Sequence, residues 1–216
     1  MKSLKWLFTL MLLFSALIDL KAQDPNRFQF VINGFSKMEI PDGDLIVITG
    51  SSSVRFWGTV QKDCADEKII NTGFGGSEAS DLLYHLDAAV LRFKPVKVFI
   101  YEGDNDINSG KTPETILKTM SQIVGKIRSS LPETEIYIIG TKPSPARWQF
   151  ETGYLAVNKL LSDYAEQQEQ VGYIDVWNSM LNDAGRPKPQ IFIGDSLHMN
   201  PKGYAIWTEA ICPSMD

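Results

Sequence analysis

Short apolar runs separated by stretches of helical spacing set the pattern of this chain. Leu45-Ile46-Val47-Ile48-Thr49 is unbroken rather than alternating, as in a parallel strand covered on both faces. Lys68-Ile69-Ile70-Asn71, residues 96–101, residues 135–139 and Tyr173-Ile174-Asp175-Val176 predict four more strands. Between them the apolar residues recur every three or four positions. Phe28, Val31, Ile32 and Phe35 predict a short amphipathic helix ahead of the turn Pro41-Asp42-Gly43-Asp44. Residues 51–62 predict the next helix, and residues 77–93 another, with Leu82, Leu83, Leu86, Val90 and Leu91 on one face. Thr112-Pro113-Glu114 opens a helix with a capping residue followed by proline, and its apolar face runs from Ile116 to Leu131. Residues 141–148 read as a proline-containing loop, residues 153–170 as a long helix, and Asn200-Pro201 as the start of the last one. Strands alternating with helices imply right-handed crossovers. The fold class is therefore α/β, a three-layer α/β/α sandwich with a five-stranded parallel sheet, for which a flavodoxin-like order fits.

Composition refines this picture at the ends of the chain. Met1-Lys2-Ser3-Leu4-Lys5 precedes a 13-residue apolar run, and Ala22 stands where a small residue suits cleavage. The run is shorter than the roughly 20 residues that span a bilayer, so residues 1–22 are expected to be a signal peptide rather than a membrane anchor. Residues 23–216 are then expected to form one domain of an exported protein, periplasmic or extracellular in a bacterium. The whole chain has a formal charge of −5, and loss of the leader would make it about −7, which argues against nucleic acid as a partner. Composition leaves the oligomeric state open. Cys64 and Cys212 lie near no other cysteine or histidine in sequence, so no zinc motif and no cofactor are expected. In a flavodoxin-like order the helix over residues 51–62 and the last helix share one face and end at the rim opposite the strand carboxyl ends. That placement predicts a Cys64–Cys212 disulfide.

Candidate chemistry gathers at the carboxyl ends of the strands, where such sheets bind ligands. Asp195-Ser196-Leu197-His198 holds one of only two histidines, and an acid and a histidine three apart on one helical turn would project to the same side. The first strand breaks at Gly50-Ser51-Ser52-Ser53, the second at Gly73-Phe74-Gly75-Gly76, and the third at Gly103-Asp104-Asn105-Asp106. Taken singly, each has a plain structural reading as helix cap, loop or turn residue. A dinucleotide loop fails because Glu78 stands at its last glycine position, and no Gly-X-Ser-X-Gly elbow occurs. Residue chemistry alone does not choose among Ser51, Ser52 and Ser53. His85 lies among Leu82, Leu83 and Leu86 and is expected to be structural, whereas Arg147 and Trp148 are candidates to grip a substrate.

These four clusters, in this order at these strand ends, resemble those of the SGNH hydrolases, also called GDSL-type esterases and lipases. The resemblance covers nearly all of residues 23–216 and implies the SGNH hydrolase version of the flavodoxin-like fold. It makes Ser52 the nucleophile, Gly76 and Asn105 oxyanion donors, and Asp195 with His198 the acid and base of a triad. Ser51 and Ser53 depart from the Gly-Asp-Ser-Leu block, at positions to which the resemblance gives no proton-transfer role. What it implies is a metal-free acyl-enzyme mechanism on a small-molecule or carbohydrate ester. A short acyl group such as acetyl is expected, because no long apolar stretch outside the leader suggests a greasy lid. A lysophospholipase or other lipid esterase is the alternative of the same class, and a non-catalytic carbohydrate-binding or surface protein that of another.

Overall fold

β1 (Ile46–Gly50) is buried at every position and lies between two parallel neighbours, β2 (Ile69–Gly73) and β3 (Lys97–Tyr101). The computed structural model describes Asp24 and residues 26–216; the expected signal peptide, residues 1–22, lies outside the described residues. β4 (Glu135–Ile139) and β5 (Val171–Ile174) extend the sheet on the β3 side, giving the all-parallel order β2-β1-β3-β4-β5. This is the flavodoxin-like order, which reverses direction at β1. Gly50 is level with Gly73 on one side and Tyr101 on the other, so three loops leave the sheet at one height.

Successive strand residues serve opposite layers. Val47, Val98, Ile100, Ile136 and Ile138 pack with α1 (Gln29–Lys37), α4 (Ala79–Ala89), α6 (Pro113–Ser130) and α7 (Glu151–Glu166). Ile46, Ile48, Phe99 and Tyr101 pack instead with α2 (Ser52–Arg55), α3 (Val60–Asp63) and α8 (Pro201–Ile211). The remaining helix, α5 (Asp104–Asn108), stands directly above β3. Burying one such Ile or Val contributes about 1.5–3 kcal/mol, of the same order as the cost of ordering its backbone and side chain. Among the described residues no helix is long and apolar enough to cross a membrane.

Several element bounds differ from expectation. The helix expected over residues 51–62 is two short ones, because Asn71 Nδ2 donates to the carbonyls of Val54 (2.8 Å) and Trp57 (3.2 Å). The buried Trp57 indole then donates to Asp63 at 2.8 Å and turns the chain into α3. β5 starts and ends two residues early, since the Asp175 carboxylate accepts from the Trp177 N–H at 2.8 Å and turns the backbone out of the sheet. α7 spans Glu151–Glu166 rather than residues 153–170, and Gln170 leads into β5 with a φ of 56°. The expected caps are present: Thr112 accepts from Thr115 N, and Asn200 from the N–H groups of Lys202 and Gly203. Cys64 after α3 and Cys212 after α8 are joined in a disulfide, with α carbons 5.2 Å apart.

Candidate active site

Gly50 ends β1 with φ 136°, and a side chain there would overlap the Tyr101 carbonyl. Only glycine fits this bend, which lifts the next residues off the sheet. Ser51 and Ser53 are buried, and Ser51 occupies the cap of α2 without a side-chain bond to it. Ser52 faces outward. Its Oγ lies 2.9 Å from His198 Nε2, and His198 Nδ1 lies 2.6 Å from Asp195 Oδ2.

Asp195 and His198 meet in a way the sequence reading did not foresee. They stand in a turn, not on a helix: Ser196 has φ 58°, and Asp195 Oδ1 accepts from the N–H groups of Leu197 and His198, both at 2.9 Å. A bond from Ile193 N to His198 O at 2.9 Å and the antiparallel Phe192–Met199 bridge close the base of the turn. Burial pushes the Asp195 carboxyl up, but bonds from the imidazole and those two N–H groups outweigh it and hold the group at about 2. An ionised Asp195 keeps the proton on Nδ1 and leaves Nε2 to accept from Ser52. The Phe56 ring meets the imidazole edge-on at 4.9 Å.

The loop after β2 supplies the facing wall. Gly76 has φ 85°, and Arg27 donates to its carbonyl at 2.6 Å, turning that oxygen away. Among the described residues no backbone carbonyl accepts from the N–H of Ser52 or Gly76. Asn105, in α5, donates from Nδ2 to Ser77 O at 2.8 Å, and its Oδ1 accepts from Arg147 at 3.0 Å. These two contacts set the amide orientation and leave one Nδ2 proton unspent. The Ser77 hydroxyl in turn donates to Glu102 at 2.6 Å.

Below Asn105 lies a buried charge cluster. Asp104 accepts from Arg147 (2.6 Å), Lys142 (3.3 Å), Tyr101 (2.9 Å) and Tyr154 (2.9 Å). Burial pushes its carboxyl up, but the two cations and the hydrogen bonds prevail and hold it at about 2. Burial likewise drives Glu102 well above the usual carboxylate range, reinforced by Asp106, with the Ser77 hydroxyl opposing.

Ser52, Gly76, Asn105 and His198 line one cavity of about 310 Å³, with Arg55, Phe56, Arg147 and Leu197 completing its wall. A larger cavity of about 720 Å³, between α2, α3 and α8, shares Phe56 with it. The structure brings Ser52, Gly76, Asn105 and His198 to this cavity, with Asp195 behind His198, and adds Arg55 and Phe56, which sequence reasoning passed over and which close the short helix that Ser52 opens. Arg147 reaches the cavity. Trp148 does not line it, stacking instead on Trp177 with ring centroids 6.0 Å apart. His85 is buried within α4 against the edges of Phe74 and Tyr84, the structural role expected of it. Lys142 was legible only as a charged residue soon after an apolar strand, a signal too weak to mark a buried ion pair.

Comparison with known proteins fits this geometry. The model of the GDSL-like Lipase/Acylhydrolase family matches residues 43–206. No curated protein matches the chain. Among solved structures, a protein assigned as an acylhydrolase from Bacteroides fragilis is 20% identical with a TM-score of 0.75, over 89% of this chain and 97% of that one. A GDSL-like lipase from Bacteroides thetaiotaomicron is 14% identical with a TM-score of 0.74, over 89% and 98%. An acetylxylan esterase from Geobacillus stearothermophilus is 14% identical with a TM-score of 0.68, over 82% and 96%. At these identities the structural likeness speaks for the fold, while the family follows from the match across residues 43–206. On that match the chain belongs to the GDSL-like lipase/acylhydrolase family and is a carboxylic ester hydrolase.

Proposed function

We propose that this protein is an exported serine esterase that removes short acyl groups, acetyl foremost, from carbohydrate. The observation that carries the mechanism is the relay from Ser52 Oγ through His198 to Asp195, at 2.9 and 2.6 Å. Ser52 Oγ attacks the ester carbonyl carbon while His198 Nε2 takes its proton. The oxygen that becomes negative receives hydrogen bonds from the N–H groups of Ser52 and Gly76 and from Asn105 Nδ2. Collapse breaks the carbon–oxygen bond to the alcohol, which leaves with the proton from His198. Water then repeats the sequence on the acyl-enzyme and releases the acid.

The short-acyl reading draws on the size and polarity of the cavity at Ser52, about 310 Å³ with two arginines in its wall. Phe56, 51% exposed, offers a flat apolar surface for a sugar ring, and the acetylxylan esterase is a neighbour in fold. A lipid ester is the second reading. It is favoured by the cavity beyond Phe56, of about 720 Å³ and lined by Ile193, Met199 and Tyr204, where a long chain could lie. p-Nitrophenyl esters of increasing chain length, beside acetylated sugars, decide between them. The fastest turnover is expected at two to four carbons, and a clear preference for chains of about eight or more would favour the lipid reading. Ser52→Ala is expected to lose activity by roughly 10⁴–10⁶ with an unchanged melting temperature and no fluorophosphonate labelling. Retained turnover in that variant would remove Ser52 from the mechanism. Export is supported by the pattern of residues 1–22 and by the disulfide. Expression of the full chain in a secreting bacterium should yield a protein that starts at Gln23, and an intact leader would overturn this part.

A further inference from the structure

The wall of the Ser52 cavity carries two guanidinium groups, Arg55 and Arg147, and no carboxylate. This is a cationic spot on a chain whose formal charge is −5. Arg147 is already committed to Asp104 and Asn105. Arg55 is not: it is exposed, and among the described residues no Asp or Glu forms an ion pair with it. Its guanidinium instead lies over the Phe56 ring, 5.7 Å from the centroid, and against Gly75. A Cβ at Gly75 would stand 3.1 Å from the Arg55 guanidinium and 3.7 Å from the Ser52 Cβ. The cation is thus laid over the residue that precedes Gly76, on the same cavity as Ser52. The helix end by itself does not account for it, because α2 has four residues and little summed dipole.

Building on the esterase reading, we infer that the substrate carries an anionic group, a carboxylate or a phosphate, close to its ester. Arg55 binds that group while the carbonyl rests at Ser52, which makes Arg55 a specificity-determining residue. A guanidinium suits either anion, since both accept its paired N–H donors.

Two substrate pairs test this at low ionic strength: O-acetylated galacturonic acid oligosaccharides against the acetylated galactose equivalents, and 1-acetylglycerol 3-phosphate against monoacetin. The readout is the ratio of kcat/KM, anionic over neutral, within each pair. Wild type is expected to favour the anionic member of one pair about tenfold or more, and which pair it is identifies the anion as carboxylate or phosphate. Arg55→Gln should lower that ratio about tenfold and Arg55→Glu further still, while Arg55→Lys, which keeps the charge but loses the paired donors, retains only part of it. Added salt should shrink it as well. Ratios near one in wild type, or unchanged ratios in Arg55→Gln, overturn the inference while hydrolysis of the neutral esters leaves the esterase reading standing. Failure to hydrolyse any of the four removes the short-acyl reading, and this inference with it.

Discussion

At Asn105 a single amide is held from both sides, by Arg147 at Oδ1 and by the Ser77 carbonyl at Nδ2. Its orientation therefore depends on a cation that is itself anchored on the buried Asp104. On the mechanism proposed here Asn105→Ala should cost roughly 10²–10³ in kcat. Arg147 acts through Asn105 as a positioning residue, and its variants separate that role from plain support. Arg147→Met is expected to lower kcat about tenfold with a smaller change in KM, and to cost about 1–3 kcal/mol of stability because Asp104 loses a charged partner. Arg147→Lys should restore most of the melting temperature, since a cation again faces Asp104, but not kcat, since lysine lacks the second arm that reaches Asn105. If lysine restores both, or if Arg147→Met turns over like wild type, the positioning role is wrong.

The end of β3 and the turn from Asp195 to His198 show how an element stores chemistry. Glu102 follows the last residue of β3, is fully buried, and among the described residues its Oε2 has no hydrogen-bond partner. Its folded pKa stands well above the unfolded value, so its contribution to stability is fully present below the unfolded value, near 4.5, and is lost as pH rises toward the folded one. Asp104, two residues on, behaves in the opposite sense. Its folded value of about 2 lies below the ordinary 3.8, so its contribution is present above that value and is lost as pH falls through about 2. Glu102→Gln, which keeps the neutral shape, should flatten the decline in melting temperature as pH rises above about 4.5. Thermal unfolding across that range checks it, and an unaltered slope would mean that Glu102 does not carry the decline. The catalytic turn teaches a related lesson. The spacing of Asp195 and His198 was legible, but the backbone that realises it is a turn with Ser196 at positive φ, because the carboxylate takes up the two N–H groups that a helix would have needed.

At the scale of the whole molecule, the Cys64–Cys212 bond ties α3 to α8 across 148 residues of sequence. Both cysteines follow helices that descend from the catalytic rim, so the bond lies at the far edge from Ser52. The chain-entropy model assigns about 5 kcal/mol to so long a loop, an upper figure beside the typical 2–4 kcal/mol. The double variant Cys64→Ser, Cys212→Ser should therefore melt well below wild type while hydrolysing p-nitrophenyl acetate at the wild-type rate at low temperature. An unchanged melting temperature would show that the bond adds nothing, and a loss of turnover would show that it reaches the active site.

The sequence by itself determined the α/β class, the five strands, the rim on which the chemistry sits and the pairing of the two cysteines. These follow from which residues must leave water and from the order of elements along the chain, both of which are written locally. The choice of Ser52 among three serines needed a family resemblance, and its meeting with His198 needed the fold. Only the tertiary structure decided that Asn71 would break the helix after Ser52, that Asp195 and His198 would share a turn, and that Arg147 would orient Asn105. The turn is closed by bonds to Asp195 from residues two and three positions on, but the other contacts join residues apart in sequence, 17 positions for Asn71 and Val54, 42 for Asn105 and Arg147, and 146 for Ser52 and His198. Hydrophobic periodicity carries no record of such contacts, because it reports whether a position is buried and not which polar atom it will face there.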